Sequence, residues 1–398
     1  MKIICLIDSL GSGGAQRQLV TLAIGLKKRG HQVRFVVYHN LNHFLPLLLD
    51  AGISCQVIPS CSHVQRVLYI YQILQKGWQD VVLAFLEGSS FYAELASIYN
   101  PKWGLVVGER SANPQINKGL RPLFRQFHRI ADAVVCNSHT NQLMLEFAFP
   151  FLREKLCTVY NTVDMNHFNV LFNEVDSASY AGERIFRLVI AASYHDNKNM
   201  INVAKALLII KENKNYPSVE LEWFGAEQKD QTSFLKAKTF IAENGLSGSF
   251  RLYPATTDIA HEYSRADAVC LFSFFEGLPN VICEGMACGK PILLSNVCDA
   301  SNLVENAKNG YVCDPTSPDD IAEKIIQFIS LSDFDRGLMG KESRRMAEQL
   351  FAECIIVERY ERILNSAANH KQLPHDCNWP IHPPESALRT VEQWLCRS

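Results

Sequence analysis

Residues 1–40 read MKIICLIDSLGSGGAQRQLVTLAIGLKKRGHQVRFVVYHN, and this stretch decides the fold class. Ile3-Ile4-Cys5-Leu6-Ile7 is a short unbroken apolar run, the pattern of a strand covered on both faces. Gly11-Ser12-Gly13-Gly14 turns the chain, residues 16–29 carry apolar side chains at helical spacing, and Gly30 stops that helix. A second apolar strand follows at 33–38. Strand, helix and strand at this spacing make a parallel βαβ unit.

The same alternation continues outward. Further strands are expected at 80–85, 105–107 and 133–137, and the polar, irregular stretch 168–183 reads as a linker. A second series has strands at 186–192, 219–224, 249–253, 268–272, 291–294 and 310–312, with helices between. The expected fold is α/β, with two Rossmann-like doubly wound parallel-sheet domains, 1–180 and 181–365, facing a central cleft. Such sheets bind ligands at the carboxyl ends of their strands, so the cleft is the expected site. Residues 366–398 form a tail: a proline-rich segment, then an amphipathic helix over 385–396 that packs back on the first domain. No internal repeat or low-complexity tract is present.

Composition narrows the partners. With 398 residues, 47% hydrophobic, 20% charged and a net charge of -2, the chain is ordinary globular material, which excludes disordered, collagenous and strongly nucleic-acid-binding classes. The thirteen cysteines are odd in number, and the closest pair, Cys283 and Cys288, lacks the spacing of a zinc knuckle or redox motif. They read as reduced, mostly buried thiols of a cytoplasmic protein. Asp8 interrupts the first apolar run before it reaches signal-peptide length, and no run of about eighteen apolar residues could span a membrane.

The stretch 274–291, FFEGLPNVICEGMACGKP, concentrates the chemistry. A strand enters a turn, the turn opens a helix, and the helix stops at Gly289. Glu276 is expected in the loop and Glu284 two turns into the helix, both on the cleft side. Backbone N–H groups of Gly277, Leu278 and Asn280 at the helix start, with the helix dipole, favour an anionic or oxygen-rich ligand. Two carboxylates beside such donors suit a polyhydroxylated ligand. Spacing alone favours the plainer reading, a helix with one acid before it and one on its exposed side.

Glu276 and Glu284, with seven residues between them inside EGLPNVICEGMACGKPIL, resemble the E-x7-E signature of retaining GT-B glycosyltransferases, in particular glycosyltransferase family 4. The opening IDSLGSGGAQRQLVTLAIGLKKRGHQV, ADAVVCNSHTN, YNTVD at 160–164, the Lys198-Asn199 pair and LFAECIIVERYERIL are similar to further blocks of that family. Only residues beyond about 369 lie outside the similarity. The resemblance implies a hexosyltransferase that moves a hexose or N-acetylhexosamine from a nucleotide sugar, UDP-linked by expectation, with retention. It implies no cofactor and no bound metal.

Carried over, the resemblance gives Glu276 the donor sugar's hydroxyls, together with Gly277, Leu278, Pro279 and Asn280. Glu284 takes the ribose hydroxyls, and Lys198 the diphosphate, offsetting charge as the leaving group departs. Gly13 and Gly14 let the first loop approach donor phosphates and acceptor closely. Glu109, Arg110, Ser111 and His195 fall on the donor or acceptor side. The chain departs from the family in two respects: most members carry an arginine a few residues before the lysine, where this chain reads Ala191-Ala192-Ser193-Tyr194-His195, and often a histidine in a first-domain loop, where it reads Gly108-Glu109-Arg110-Ser111-Ala112-Asn113. The implied acceptor is a glycan or lipid-linked sugar of bacterial surface polysaccharide synthesis, at the inner face of the cytoplasmic membrane.

Competing readings are weaker. Gly11-x-Gly13 begins like a dinucleotide fingerprint, but Gln16 replaces the third glycine and no acid ends the second strand, which disfavours a dehydrogenase. Asp333-Phe334-Asp335 has metal-binding spacing, yet helix capping explains it more simply. Residues 119–131 place Leu120, Leu123, Phe124, Phe127 and Ile130 on one helical face and Arg121, Arg125, His128 and Arg129 on the other, either a peripheral membrane contact or a domain helix with a solvated basic face. A nucleotide-sugar epimerase, a glycosyl phosphorylase, or a non-catalytic nucleotide-sugar-binding protein stays open as an alternative.

Overall fold

The computed structural model describes all residues except 60–61, 99–101, 112–118, 120, 169–183, 214, 228–231, 306–307, 375, 379–390 and 392–398. Most of the expected linker and nearly all of the expected tail helix therefore lie outside the described residues. The chain divides into two units, one made of Met1–Thr162 with Leu350–Ser398, the other of Val163–Gln349.

The first unit carries a seven-stranded parallel sheet of β1 (Lys2–Ile7), β2 (Gln32–Val37), β3 (Ser54–Val57), β4 (Val81–Phe85), β5 (Gly104–Glu109), β6 (Ala133–Cys136) and β7 (Leu156–Thr158). Their spatial order is β3-β2-β1-β4-β5-β6-β7, the reversal of a doubly wound sheet. Crossovers run through α1 (Gly14–Lys28), α2 (Leu45–Asp50), α3 (His63–Gln75), α4 (Glu87–Ala96), α5 (Arg121–Gln126) and α6 (His139–Ala148). Strands β1, β4, β5 and β6 are apolar because helices cover both faces. The apolar runs do not announce β3 and β7: β3 is a mostly exposed edge reading SCQV, and β7 spans three residues. α1 starts at Gly14, two residues before the expected position, with Gly13 in extended conformation ahead of it.

The second unit holds a six-stranded parallel sheet of β8 (Ile185–Ala191), β9 (Ser218–Gly225), β10 (Phe250–Pro254), β11 (Ala268–Leu271), β12 (Ile292–Ser295) and β13 (Gly310–Cys313), ordered β10-β9-β8-β11-β12-β13. Its helices are α7 (Met200–Glu212), α8 (Thr232–Glu243), α9 (Ile259–Arg265), α10 (Asn280–Ala287), α11 (Pro318–Ile329) and α12 (Asp333–Leu350). β8 pairs with β11 in register Ala268 with Leu188, so the loops that leave these two strands emerge side by side.

After α12 the chain returns to the first unit at Leu350, ahead of the expected 366. The returning α13 (Glu353–Ala368) buries Ile356, Val357, Tyr360, Ile363 and Leu364 against α1, β4 and β5. Each such side chain, fully removed from water, stabilises by about 1.5–3 kcal/mol. Two glycines make the approach close. A Cβ on Gly25 of α1 would meet Val357 Cγ2 at 2.4 Å, and one on Gly104 of β5 would meet the Ala367 backbone at 2.3 Å. Glu361 fastens the outer edge, accepting from Arg29 Nε at 2.8 Å and lying 2.7 Å from His31 Nε2. Beyond α13, Val391 is buried in the core of the same unit.

The expected helix over 119–131 is shorter and its charges lie elsewhere. α5 ends at Gln126 and a 3₁₀ turn covers Phe127–Ile130. Arg125 and His128 are buried, not solvated: Arg125 donates to Glu109 Oε2 at 3.1 Å, and His128 lies between Glu94 and Glu109. Arg129 and Leu123 stay exposed.

Candidate active site

Lys198 and Glu276, distant in sequence, form an ion pair. The pairing of β8 with β11 explains why they meet. Lys198 ends a 3₁₀ turn, Asp196–Lys198, that follows β8, and Glu276 lies in the loop between β11 and α10. Both side chains are largely but not wholly covered, at 20% and 14% exposure, so a ligand can reach them. Asn199 follows Lys198 in the left-handed region, at φ 65, and turns the chain into α7. Its buried Nδ2 donates to the carbonyls of Phe272 at 3.0 Å and Pro315 at 2.6 Å, which anchors the turn. Asparagine tolerates this backbone conformation better than most residues.

Gly277, Leu278 and Pro279 are buried between Glu276 and the start of α10 at Asn280. Because α10 begins at Asn280, Glu284 lies little more than one turn into it, not two. Glu284 is buried, and the Tyr263 hydroxyl of α9 donates to its Oε2 at 3.5 Å. The next residue, Gly285, packs on β11, where a Cβ would meet Val269 at 2.7 Å.

The stretch where family members carry an arginine, 191–195, places a tyrosine and a histidine ahead of the turn. Tyr194 is buried, its hydroxyl donating to the carbonyls of Tyr253 at 2.5 Å and Trp223 at 3.2 Å, with its ring stacked on Phe234. Burial raises its hydroxyl to about 12. His195 is exposed and caps the 3₁₀ turn, its Nδ1 accepting the Asn197 N–H at 3.2 Å.

In the first unit, Gln16 folds back over Gly13: a Cβ there would meet Gln16 Oε1 at 2.1 Å, while Gln16 Nε2 donates to Asp8 Oδ1 at 2.8 Å. Gly14 opens α1. Glu109, expected to face a ligand, is instead buried against Arg125 and His128. Burial works against its charge, but those cations prevail and hold its carboxyl near about 2. Arg110 lies 3.9 Å from the centre of the Phe85 ring and donates through Nη2 to the Tyr360 hydroxyl at 2.8 Å. Ser111 is exposed. Asp333 pairs with Arg184 and Arg336 at the start of α12, where Ser332 accepts the Asp335 N–H at 3.1 Å; these contacts account for both acids. None of the described cysteines forms a disulfide, and of them only Cys55 and Cys354 are not buried.

Residues 12–167 match the family model for Glycosyltransferase Family 4, and residues 176–349 match that for Glycosyl transferases group 1. The chain belongs to glycosyltransferase family 4. This glycosyltransferase is accordingly an enzyme of the hexosyltransferase type, with the two parallel-sheet domains of the GT-B fold. It is 24% identical over 366 residues to an uncharacterized glycosyltransferase of Haemophilus influenzae, covering 90% of this chain and 98% of that one. It is also 24% identical, over 87% of its length and 93% of the relative's, to a Campylobacter jejuni alpha-1,4-N-acetyl-D-galactosaminyltransferase named for a GalNAc-bearing undecaprenol-diphosphate substrate. The structure of Anabaena HepE with UDP and glucose superposes with a TM-score of 0.78 at 21% identity, covering 92% of this chain and 100% of HepE.

The sequence reading missed Asn197, Asn199's anchoring bonds and the Tyr263 contact to Glu284. A visible signal existed only for the first two, an asparagine on each side of Lys198.

Proposed function

We propose that this glycosyltransferase moves a hexose or N-acetylhexosamine from a UDP-sugar, with retention, onto a lipid-linked glycan intermediate of bacterial surface polysaccharide synthesis. The juxtaposition of Lys198 and Glu276 carries the reading. An ammonium and a carboxylate held together at the carboxyl ends of β8 and β11 match the two ends of a sugar diphosphate. Lys198 takes the diphosphate and Glu276 the sugar hydroxyls. Glu284, one turn along α10, takes the ribose.

In this reading the acceptor hydroxyl attacks the anomeric carbon on the face the diphosphate leaves, and its proton passes to the departing phosphate oxygen. Lys198 and the amino end of α10 offset the charge that develops, so the reaction draws on no metal or other cofactor. The second unit is then the donor domain and the first the acceptor domain. The lipid-linked acceptor is supported by the Campylobacter relative's named substrate, and the UDP donor by the HepE complex. Among the described residues no helix is long and apolar enough to cross a membrane. In this reading the enzyme works on its lipid carrier by peripheral contact at the inner membrane face.

Radiolabelled UDP-sugars incubated with the protein and a bacterial membrane extract test this. Label in an organic-soluble product is expected for one donor. The absence of Arg from 191–195 favours one alternative, a protein that binds nucleotide sugar without turnover; donor binding with no labelled product would establish it.

A further inference from the structure

Asn197 pairs with Phe275 through both ends of its side-chain amide. Its Oδ1 accepts the Phe275 N–H at 3.1 Å, and its Nδ2 donates to the Phe275 carbonyl at 2.8 Å. Its own backbone carbonyl accepts the Phe274 N–H at 2.9 Å. Three hydrogen bonds thus tie the turn after β8 to the loop after β11, one residue before Lys198 and one residue before Glu276. A primary amide offers a peptide's donor and acceptor together; a carboxylate can only accept. With Asn199 anchored to Phe272 and Pro315 on the other side, Lys198 is flanked by two pinned backbone positions while its own four-carbon stem stays flexible.

We propose that Asn197 is a positioning residue, holding Lys198 and Glu276 at the separation at which one donor molecule engages both. The proposal rests on the reading above, in which these two residues bind the diphosphate and the sugar. Without donor they pair with each other, and an entering donor replaces each partner. Charge on the leaving diphosphate is stabilised most by a cation already in place, because late reorganisation forfeits the benefit. Tyr194, three residues before Asn197, is turned into the core, its hydroxyl bonded to the Tyr253 carbonyl.

The test compares wild type, Asn197→Ala, Asn197→Asp, Lys198→Ala and the Asn197→Ala/Lys198→Ala double variant. UDP affinity is read by calorimetry, and UDP release from UDP-glucose and UDP-N-acetylgalactosamine by steady-state kinetics, with circular dichroism as the check on folding. Asn197→Ala is expected to bind UDP within about threefold of wild type, because the lysine stem still reaches a free diphosphate, while kcat falls about tenfold or more with a smaller change in KM. Asn197→Asp, which keeps the acceptor half, falls between. In the Lys198→Ala background, Asn197→Ala costs no more than about a further twofold, since it acts through the missing lysine. Unchanged kcat in Asn197→Ala, or full multiplication of the two losses, overturns the proposal. A wild type that binds no UDP, or a Lys198→Ala variant with wild-type kcat, overturns the donor reading instead and takes the proposal with it.

Discussion

His128 Nδ1 lies 2.5 Å from Glu94 Oε1 in the interior of the first unit, and the opposite edge of the same imidazole lies 3.0 Å from Glu109 Oε1. An imidazole between two carboxylates is held protonated. Burial opposes the charge, but both carboxylates favour it, and His128 is raised from an ordinary 6.5 to about 9.

Its folded value lies above its unfolded one, so its stabilising contribution is complete below about pH 6.5 and is lost as pH rises through about 9. At full strength the shift corresponds to on the order of 3 kcal/mol. Glu94, raised by burial, acts in the same sense: its share is complete below about 4.5 and is lost as pH rises through its raised value. Glu109 acts oppositely: with its carboxyl lowered to about 2, its contribution is present above 4.5 and disappears as pH falls toward 2. Melting temperature followed from pH 4 to pH 10 should peak between about 5 and 7. His128→Gln should melt lower at pH 6 and show a flatter alkaline limb; an unchanged alkaline limb would exclude His128 as its source.

Removing either member of the Lys198–Glu276 pair should stop turnover without unfolding the protein. Glu276→Ala and Lys198→Ala are expected to lower transfer by about a hundredfold or more. Both residues are partly exposed on loops, so the melting temperature should shift little. Near-normal transfer by Glu276→Ala would remove the carboxylate from the donor reading.

Gly104→Ala tests the docking of α13. The clash at 2.3 Å is with backbone atoms of Ala367, which cannot rotate away. Overpacking of this kind costs about 1–3 kcal/mol, measurable as a lower denaturant midpoint. Gly30→Ala is a useful contrast: it also strains, but through its φ of +91 with nothing within 4 Å of the added methyl.

Asn199→Ala should destabilise the second unit more than Asn199→Gly. Both lose the bonds to Phe272 and Pro315, but only alanine adds the strain of a Cβ at positive φ. A difference of about 1 kcal/mol between the two in urea unfolding is expected. Equal losses would assign the whole effect to the hydrogen bonds.

The fold was legible wherever burial on both faces forces an apolar run, as at Ile3 to Ile7 or Ala268 to Leu271. Ser54–Val57 escaped because an edge strand needs no such run. In the site, Glu276, Glu284 and Lys198 are legible through a motif, whereas the asparagines flanking Lys198 mark the turn but carry no sign of the partner 78 residues away that Asn197 bonds. The solvated basic face read over 119–131 fails at Arg125 and His128 for a related reason. Arg125 and His128 have counter-charges on β5 and α4, and helical periodicity says which residues share a face but nothing of what covers it.

The return of the chain at Leu350 also bears on how the protein is made. When residues 1–162 leave the ribosome, the apolar faces of α1, β4 and β5 that Ile356, Tyr360 and Ile363 will cover are still bare. The whole of the second unit must be synthesised first, a delay on the order of ten seconds or more at about 5–20 residues per second. Until then the nascent first unit presents a sticky surface to chaperones and neighbouring chains. A fragment that stops after Thr162 would present it permanently.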